Sequence, residues 1–294
     1  DGLSNRRIYN IQKDHQGYMW FLTNEGMDRY NGKDIKHYKL IEENKQLSSE
    51  IHLGWLYADK EGGIWVIGKK GRIFQYEEKY DRFTMVYKSP KVTDAISYGY
   101  LDRNNNLWLC GKDSILLYNT KTTQVMRLPN LLEDNITVVE QADDTHFFIA
   151  TETGVRYAKL KNGALQIIPT ETLDYFHTQV SVLYFQQQQK KLYIGSFERG
   201  IFVYDMLSQE IIRPEADLSD VNITRIRPLN ETELLVATEG MGVYKLDMNK
   251  CILERYISAN YQSYNEMNGD NINDVFVDES KRIWPVSYTH LRAH

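Results

Sequence analysis

The sequence predicts an all-β protein, a seven-bladed β-propeller of four-stranded blades whose seventh blade is incomplete. Three observations lead there. A large apolar anchor recurs at Trp20, Trp65, Trp108, Phe148, Tyr193, Leu235 and Trp284, at steps of 40 to 49 residues, the length of one propeller blade. Each interval breaks into short β-rich runs separated by Gly, Asn and Asp, the residues of tight hairpin turns. No long stretch carries the 3.6-residue period of an amphipathic helix, which leaves parallel α/β folds and helix bundles without support.

The first copy shows the elements most clearly. Runs Ile8 to Ile11, Tyr18 to Thr23, Met27 to Tyr30 and Ile35 to Tyr38 read as four strands, separated by Asp14-His15-Gln16-Gly17, Asn24-Glu25-Gly26 and Asn31-Gly32-Lys33-Asp34. Later copies keep the anchor, a small or Thr/Gly turn and a following Tyr: Tyr76, Tyr118, Tyr157, Tyr204 and Tyr244. A short four-stranded sheet cannot bury both faces alone, so stacking against neighbouring copies is expected to do so. The anchor is expected to wedge between adjacent blades. Blade limits fall near 1–40, 41–90, 91–130, 131–170, 171–214 and 215–260, with 261–284 as a partial seventh. That last copy has only a first strand, Ile272 to Asp278, and the start of a second at Ile283-Trp284. After Trp284 the repeat is lost, and residues 285–294 read as a non-native tail outside functional reasoning.

Composition narrows the function classes. The 294 residues carry 35 Lys+Arg against 40 Asp+Glu, a net charge of −5 that gives no electrostatic footprint for nucleic acid. No run approaches the ~18 apolar residues of a membrane span, and no leader pattern precedes the first strand. Two cysteines 141 positions apart, Cys110 and Cys251, exclude a disulfide framework and a CxxC metal site. Both read as strand packing. His15, His37, His52, His146 and His177 show no ligand spacing, so neither metal nor cofactor is expected. Nucleophile elbows and phosphate loops are absent. The carboxylates Glu25, Glu152, Glu198 and Glu239 recur between second and third strands. Recurrence at equivalent blade positions suits a turn role or a ligand hydrogen bond better than a catalytic pair, for which two would suffice. No enzymatic activity is expected of this chain; a propeller hydrolase or lyase acting on polysaccharide, or a protein-interaction scaffold, is the alternative.

The motif Leu3-Ser4-Asn5, Ile8, Ile11, Asp14, Gly17, Met19-Trp20-Phe21, Thr23, Glu25-Gly26 and Arg29-Tyr30-Asn31-Gly32 resembles the two-component regulator propeller repeat. The resemblance runs over residues 1 to 284, closest in the first copy and loosest in copies four to six. It implies the N-terminal periplasmic sensor propeller of a Bacteroidetes hybrid two-component histidine kinase. Such a fragment would bind a polysaccharide-derived oligosaccharide and control utilisation genes through a kinase that this chain lacks. The resemblance further implies a second propeller and a β-sandwich as partner domains, a homodimer formed through the full-length protein, and a membrane segment outside this chain.

The first strand of a blade starts at the end where the second-to-third turn lies, so residues from several copies are expected to converge there on a ligand. The cations are Arg6, Arg7, Lys69, Lys112 and Arg199, and the aromatics Tyr98 and Phe197. His52 and His177 precede first strands. Asn24, Glu25, Glu239 and Asn271 complete the set. Aromatic faces suit sugar rings, and cations and amides suit hydroxyl, carboxylate or sulfate groups. Cations concentrated there in an acidic chain point to an anionic glycan.

Overall fold

The structure, a computed structural model, describes residues 2–5, 7–42, 45–46, 53–90, 95–215, 218–257 and 271–287. The chain divides into two compact units, Asp1–Asn135 and Ile136–His294. The first holds three antiparallel four-stranded blades. Blade one is Ile8–Lys13, Met19–Thr23, Gly26–Tyr30 and Ile35–Tyr38; blade two is Leu53–Ala58, Ile64–Gly68, Arg72–Glu77 and Arg82–Lys88; blade three is Tyr98–Leu101, Asn106–Cys110, Ser114–Asn119 and Val125–Pro129. A short hairpin, Ile41–Glu42 with Lys45–Gln46, lies between the first two.

The second unit holds blade four (Ile136–Gln141, His146–Thr151, Gly154–Lys161, Ala164–Ile168), blade five (Val180–Gln186, Lys191–Ser196, Ile201–Asp205, Glu210–Ile212) and blade six (Ile223–Pro228, Glu233–Thr238, Val243–Asp247, Ile252–Ile257). A two-stranded sheet follows, Ile272–Val277 paired with Ile283–Ser287. The expectation of seven blades is therefore corrected: the described residues form six four-stranded blades and one two-strand partial sheet. The seventh anchor, Trp284, does sit on a second strand, but no third or fourth strand joins its sheet among the described residues. Pro285 to Ser287, read from sequence as tail, continue that strand, with Val286 fully buried opposite Asp274. Cys251 is also corrected. It occupies the turn before the fourth strand of blade six at φ 57°, while Cys110 is buried on a strand as expected.

The anchors are tied to the turn before them. In blade one, Asp14 Oδ1 accepts the amides of Gln16 and Tyr18, closing the turn, and Oδ2 accepts the indole N–H of Trp20 at 2.7 Å. Asp59 does the same for Trp65 and Asp102 for Trp108, each at 2.9 Å. Asp278 meets the indole of Trp284 at 3.3 Å. One carboxylate thus shapes the hairpin and satisfies the only polar atom of a buried indole. Trp20 then packs on Tyr38, Tyr76 and Phe83, at centroid distances of 5.1, 4.7 and 5.5 Å, bridging blades one and two. Trp65 reaches Tyr118 of blade three. The wedge role expected of the anchors holds at these contacts. In blades four to six the anchors are Phe148, Tyr193 and Leu235, and the residues six positions earlier are Ala142, Gln187 and Leu229. Phe148 packs on Phe185 of blade five, and Tyr193 enters a cluster with Ile226, Leu234 and Val236 of blade six.

The second unit adds a hydroxyl latch that composition does not reveal. Thr137, Ser181 and Thr224, each second in its first strand, donate to the carbonyls of Val180, Ile223 and Ile272, each first in the next first strand. Further along, the fully buried Asp274 receives Arg225 and Arg227 of blade six at 3.1 and 3.4 Å.

Between blades one and two, Asp81 collects four donors. Tyr38 and Tyr76 hydroxyls each donate to Oδ1 at 2.6 Å, Lys36 reaches Oδ2, and Arg29 lies 3.4 Å away while donating to Tyr76 at 2.6 Å. Burial alone pushes this carboxyl up, but the donors outweigh it and hold it well below the carboxylate range. Tyr76 is pushed up to about 12, by burial first and then by its bond to Asp81. A raised phenol favours the folded state below its unfolded pKa of about 10, and the advantage fades as pH climbs from there toward the folded value. The first unit is expected to lose stability between pH 10 and 12. Tyr76→Phe, which cannot ionise, is expected to flatten that limb of a Tm-against-pH curve; an unchanged slope would contradict the assignment.

Candidate functional site

The end of each blade that carries the second-to-third turn also carries the start of its first strand and the end of its fourth. In blades one, four and five the turn glycine lies under the segment that leaves the fourth strand. A Cβ on Gly26, Gly154 or Gly200 would sit 2.6, 2.5 or 2.1 Å from the carbonyl oxygens of Tyr38, Phe176 and Leu218. These glycines let the departing chain cross close over the turn and bring its residues alongside.

In the second unit this crossing assembles a continuous polar and aromatic surface. Arg199 donates from Nη1 to Thr178 Oγ1 at 2.7 Å, next to the exposed His177. Phe197, 43% exposed, donates its amide to the Gln179 carbonyl. The Glu198 amide donates to Asn222 Oδ1 at 2.6 Å, and Asn222 Nδ2 donates to Glu239 Oε2 at 2.7 Å. Beside Glu239, Gly240 faces Asn271, whose Oδ1 is 3.6 Å from where a Cβ would stand. Five expected residues, His177, Phe197, Arg199, Glu239 and Asn271, therefore share one surface over blades five and six, joined by Thr178 and Asn222.

Two further aromatics belong to it. Phe202 is buried under the guanidinium groups of Arg199 and Arg213, at 5.8 and 4.4 Å from its centroid, and takes the edge of Phe176 at 5.1 Å. Tyr175 is 78% exposed. Sequence reading missed Asn222, although it precedes a first strand as Arg7 and Asn271 do. It missed Arg213 because fourth-strand ends were not considered, although an even number of antiparallel strands returns the chain to its starting end.

The first unit arranges its candidates differently. Arg7 lies 5.3 Å over the Tyr9 ring, and the Tyr9 hydroxyl donates to Asn24 Oδ1 at 2.7 Å, so Arg7 and Asn24 meet through a tyrosine. Glu25 is exposed in the same turn, its amide donating to Thr23 Oγ1. Tyr98 packs edge-on to Trp55 at 5.9 Å, and the Lys69 stem abuts Gly54. The backbone carbonyls of Lys69 and Lys112 accept bonds from Ile96 and Asn130, and both residues are exposed. Arg6 and His52 lie outside the described residues. Among the described residues no group of three or more His, Cys, Asp or Glu is placed to hold a metal ion, and no helix is long and apolar enough to cross a membrane.

Residues 2–25, from Gly2 through the first two strands of blade one to Glu25, match the family model described as two component regulator propeller. That segment is a two-component regulator propeller repeat. No curated protein matches the chain. Among solved structures, the chain resembles the extracellular domain of the hybrid two component system BT3049 from B. thetaiotaomicron, with 20% identity and a TM-score of 0.77 over 99% of this chain and 40% of that one. It resembles the extracellular domain of BT4673 from the same organism at 17% identity, TM-score 0.76, over 99% of this chain and 38% of that one. YCF48 from Cyanidioschyzon merolae gives 12% identity and a TM-score of 0.73, over 99% and 97% of the two chains. These likenesses show a propeller fold. The chain spans about two fifths of the length of the two extracellular domains. The repeat's own residues explain the match: Asp14 and Trp20 form the tied anchor, and Ser4 fastens the leading segment by donating its amide and hydroxyl to the buried Asp28 at 2.8 and 2.9 Å.

Proposed function

We propose that this chain is the ligand-sensing part of an extracytoplasmic two-component sensor, and that it binds an oligosaccharide at the surface over blades five and six. The observation that carries the binding site is the exposure of Phe197 beside Arg199 and the Asn222–Glu239 pair, with the exposed Tyr175 next to His177. A sugar ring offers an apolar face and a rim of hydroxyls; aromatic faces take the first, and amides, carboxylates and guanidinium groups take the second. The repeat in residues 2–25 and the likeness to extracellular domains of hybrid two component systems support the sensor reading. On that reading, further extracytoplasmic domains, a membrane segment, a kinase and dimer formation belong to the full-length protein, and the role of this chain is binding without catalysis.

The test is a glycan panel read by thermal shift and by chromatography of the products. Binding of at least one oligosaccharide with no turnover is expected, together with roughly tenfold weaker binding in Phe197→Ala, the loss of one aromatic stack worth about 1–1.5 kcal/mol. Turnover abolished by a carboxylate substitution would replace the sensor with the enzyme. A Phe197→Ala variant that binds as tightly as the parent would move the site elsewhere.

A further inference from the structure

We propose that Arg199 and Arg213 form an oxoanion clamp, built on Phe202, that selects ligands bearing a carboxylate or sulfate group; the carbohydrate nature of the rest of the ligand rests on the reading above. Strand register places the pair. Val203 faces Ile212 across the third and fourth strands of blade five, so Arg213, next along the chain, lies alongside Phe202, the residue before Val203. Arg199 arrives from the second-to-third turn of the same blade. Both guanidinium groups stand over one ring, 5.8 and 4.4 Å from its centroid. Phe202 is itself only 6% exposed and is held edge-on by Phe176.

Two uncompensated guanidinium charges over one ring are what mark this pair. Both arginines are exposed, and neither has a carboxylate within 4.0 Å among the described residues. Some other arginines are matched to acids, as Arg29 is to Asp81, Arg225 to Asp274 and Arg282 to Asp278, whereas Arg156 and Arg255 reach a backbone carbonyl and a thioether. In a chain of net charge −5, two cations without acids beside one ring repel each other, and the contact of each with that ring offsets part of the cost. Arg199 spends one N–H on Thr178. The remaining donors of two planar forks match the two or three oxygens of a carboxylate or sulfate, the geometry in which arginine outperforms lysine.

The experiment titrates the 294-residue chain with three probes: inorganic sulfate, a uronic-acid oligosaccharide and its neutral counterpart. The same probes are applied to Arg199→Gln and Arg213→Gln, with circular dichroism and Tm confirming the fold. At least one anionic probe is expected to bind more tightly than the neutral sugar, and each substitution is expected to weaken it tenfold or more while weakening the neutral sugar markedly less. Binding should also weaken as salt is raised. Sulfate binding that disappears in Arg213→Gln, with no oligosaccharide binding at all, would uphold the clamp and sink the oligosaccharide reading. Equal binding of neutral and uronic oligosaccharides, unaffected by either substitution, would uphold that reading and overturn the clamp. Comparing sulfate with the uronate tells which oxoanion the clamp prefers.

Discussion

Trp20→Ala is expected to lower the stability of the first unit by about 3–5 kcal/mol, the range for removing a fully buried aromatic side chain. The indole is 0% exposed and touches three rings, two of them on the neighbouring blade. Its loss empties the junction between blades one and two and strips Asp14 of its indole partner. Asp14→Ala removes the other half of the contact, leaving a buried N–H and two turn amides unanswered, at about 1–3 kcal/mol. Denaturant unfolding of the parent, both single variants and the double variant would check this. The double variant should cost less than the sum of the singles, because the two groups serve one contact. A Trp20→Ala loss below about 1 kcal/mol would refute the wedge.

Gly200→Ala is expected to cost about 3–4 kcal/mol, from two sources. At φ +70° an L side chain is strained by about 1–2 kcal/mol. The added methyl also meets the Leu218 carbonyl at 2.1 Å, which forces the crossing chain to shift. Gly32→Ala is the control. Its φ is +96° but nothing lies within 4 Å of the new methyl, so only the backbone cost, about 1–2 kcal/mol, should appear. A comparison of melting midpoints would settle the point; equal losses for the two variants would show that the Leu218 crossing is not as tight as described. Because Gly200 adjoins Arg199, which donates to Thr178, Gly200→Ala should disturb the ligand surface as well.

Periodicity made most of the architecture readable. The anchors and the turn glycines are dictated by packing that repeats, and Trp20, Trp65 and Trp108 lie on second strands as their spacing requires. The blade count was overestimated because an anchor marks a second strand, and Trp284 has one without the third and fourth strands of a blade. Site residues were readable where they repeat by position, as Glu239 and Asn271 do. They were hidden where a contact depends on register between distant strands. Arg213 meets Phe202 only because the fourth strand pairs with the third, and the Thr178–Arg199 bond joins a linker to a turn 21 residues on. The Asp81 cluster was hidden for the same reason, since Tyr38 and Asp81 are 43 residues apart.

The bond between turn aspartate and anchor tryptophan also constrains how the copies diverged. A copy that loses only the tryptophan keeps a carboxylate shaped for an absent donor; one that loses only the aspartate buries an indole N–H without an acceptor, at about 1–3 kcal/mol. Either single step is costly, so drift should carry the two positions together. The seven copies bear this out as an internal record. Four hold both residues, at 14 and 20, 59 and 65, 102 and 108, and 278 and 284. Three hold neither, with Ala142 before Phe148, Gln187 before Tyr193 and Leu229 before Leu235. No copy is caught halfway, and the three without the pair are consecutive.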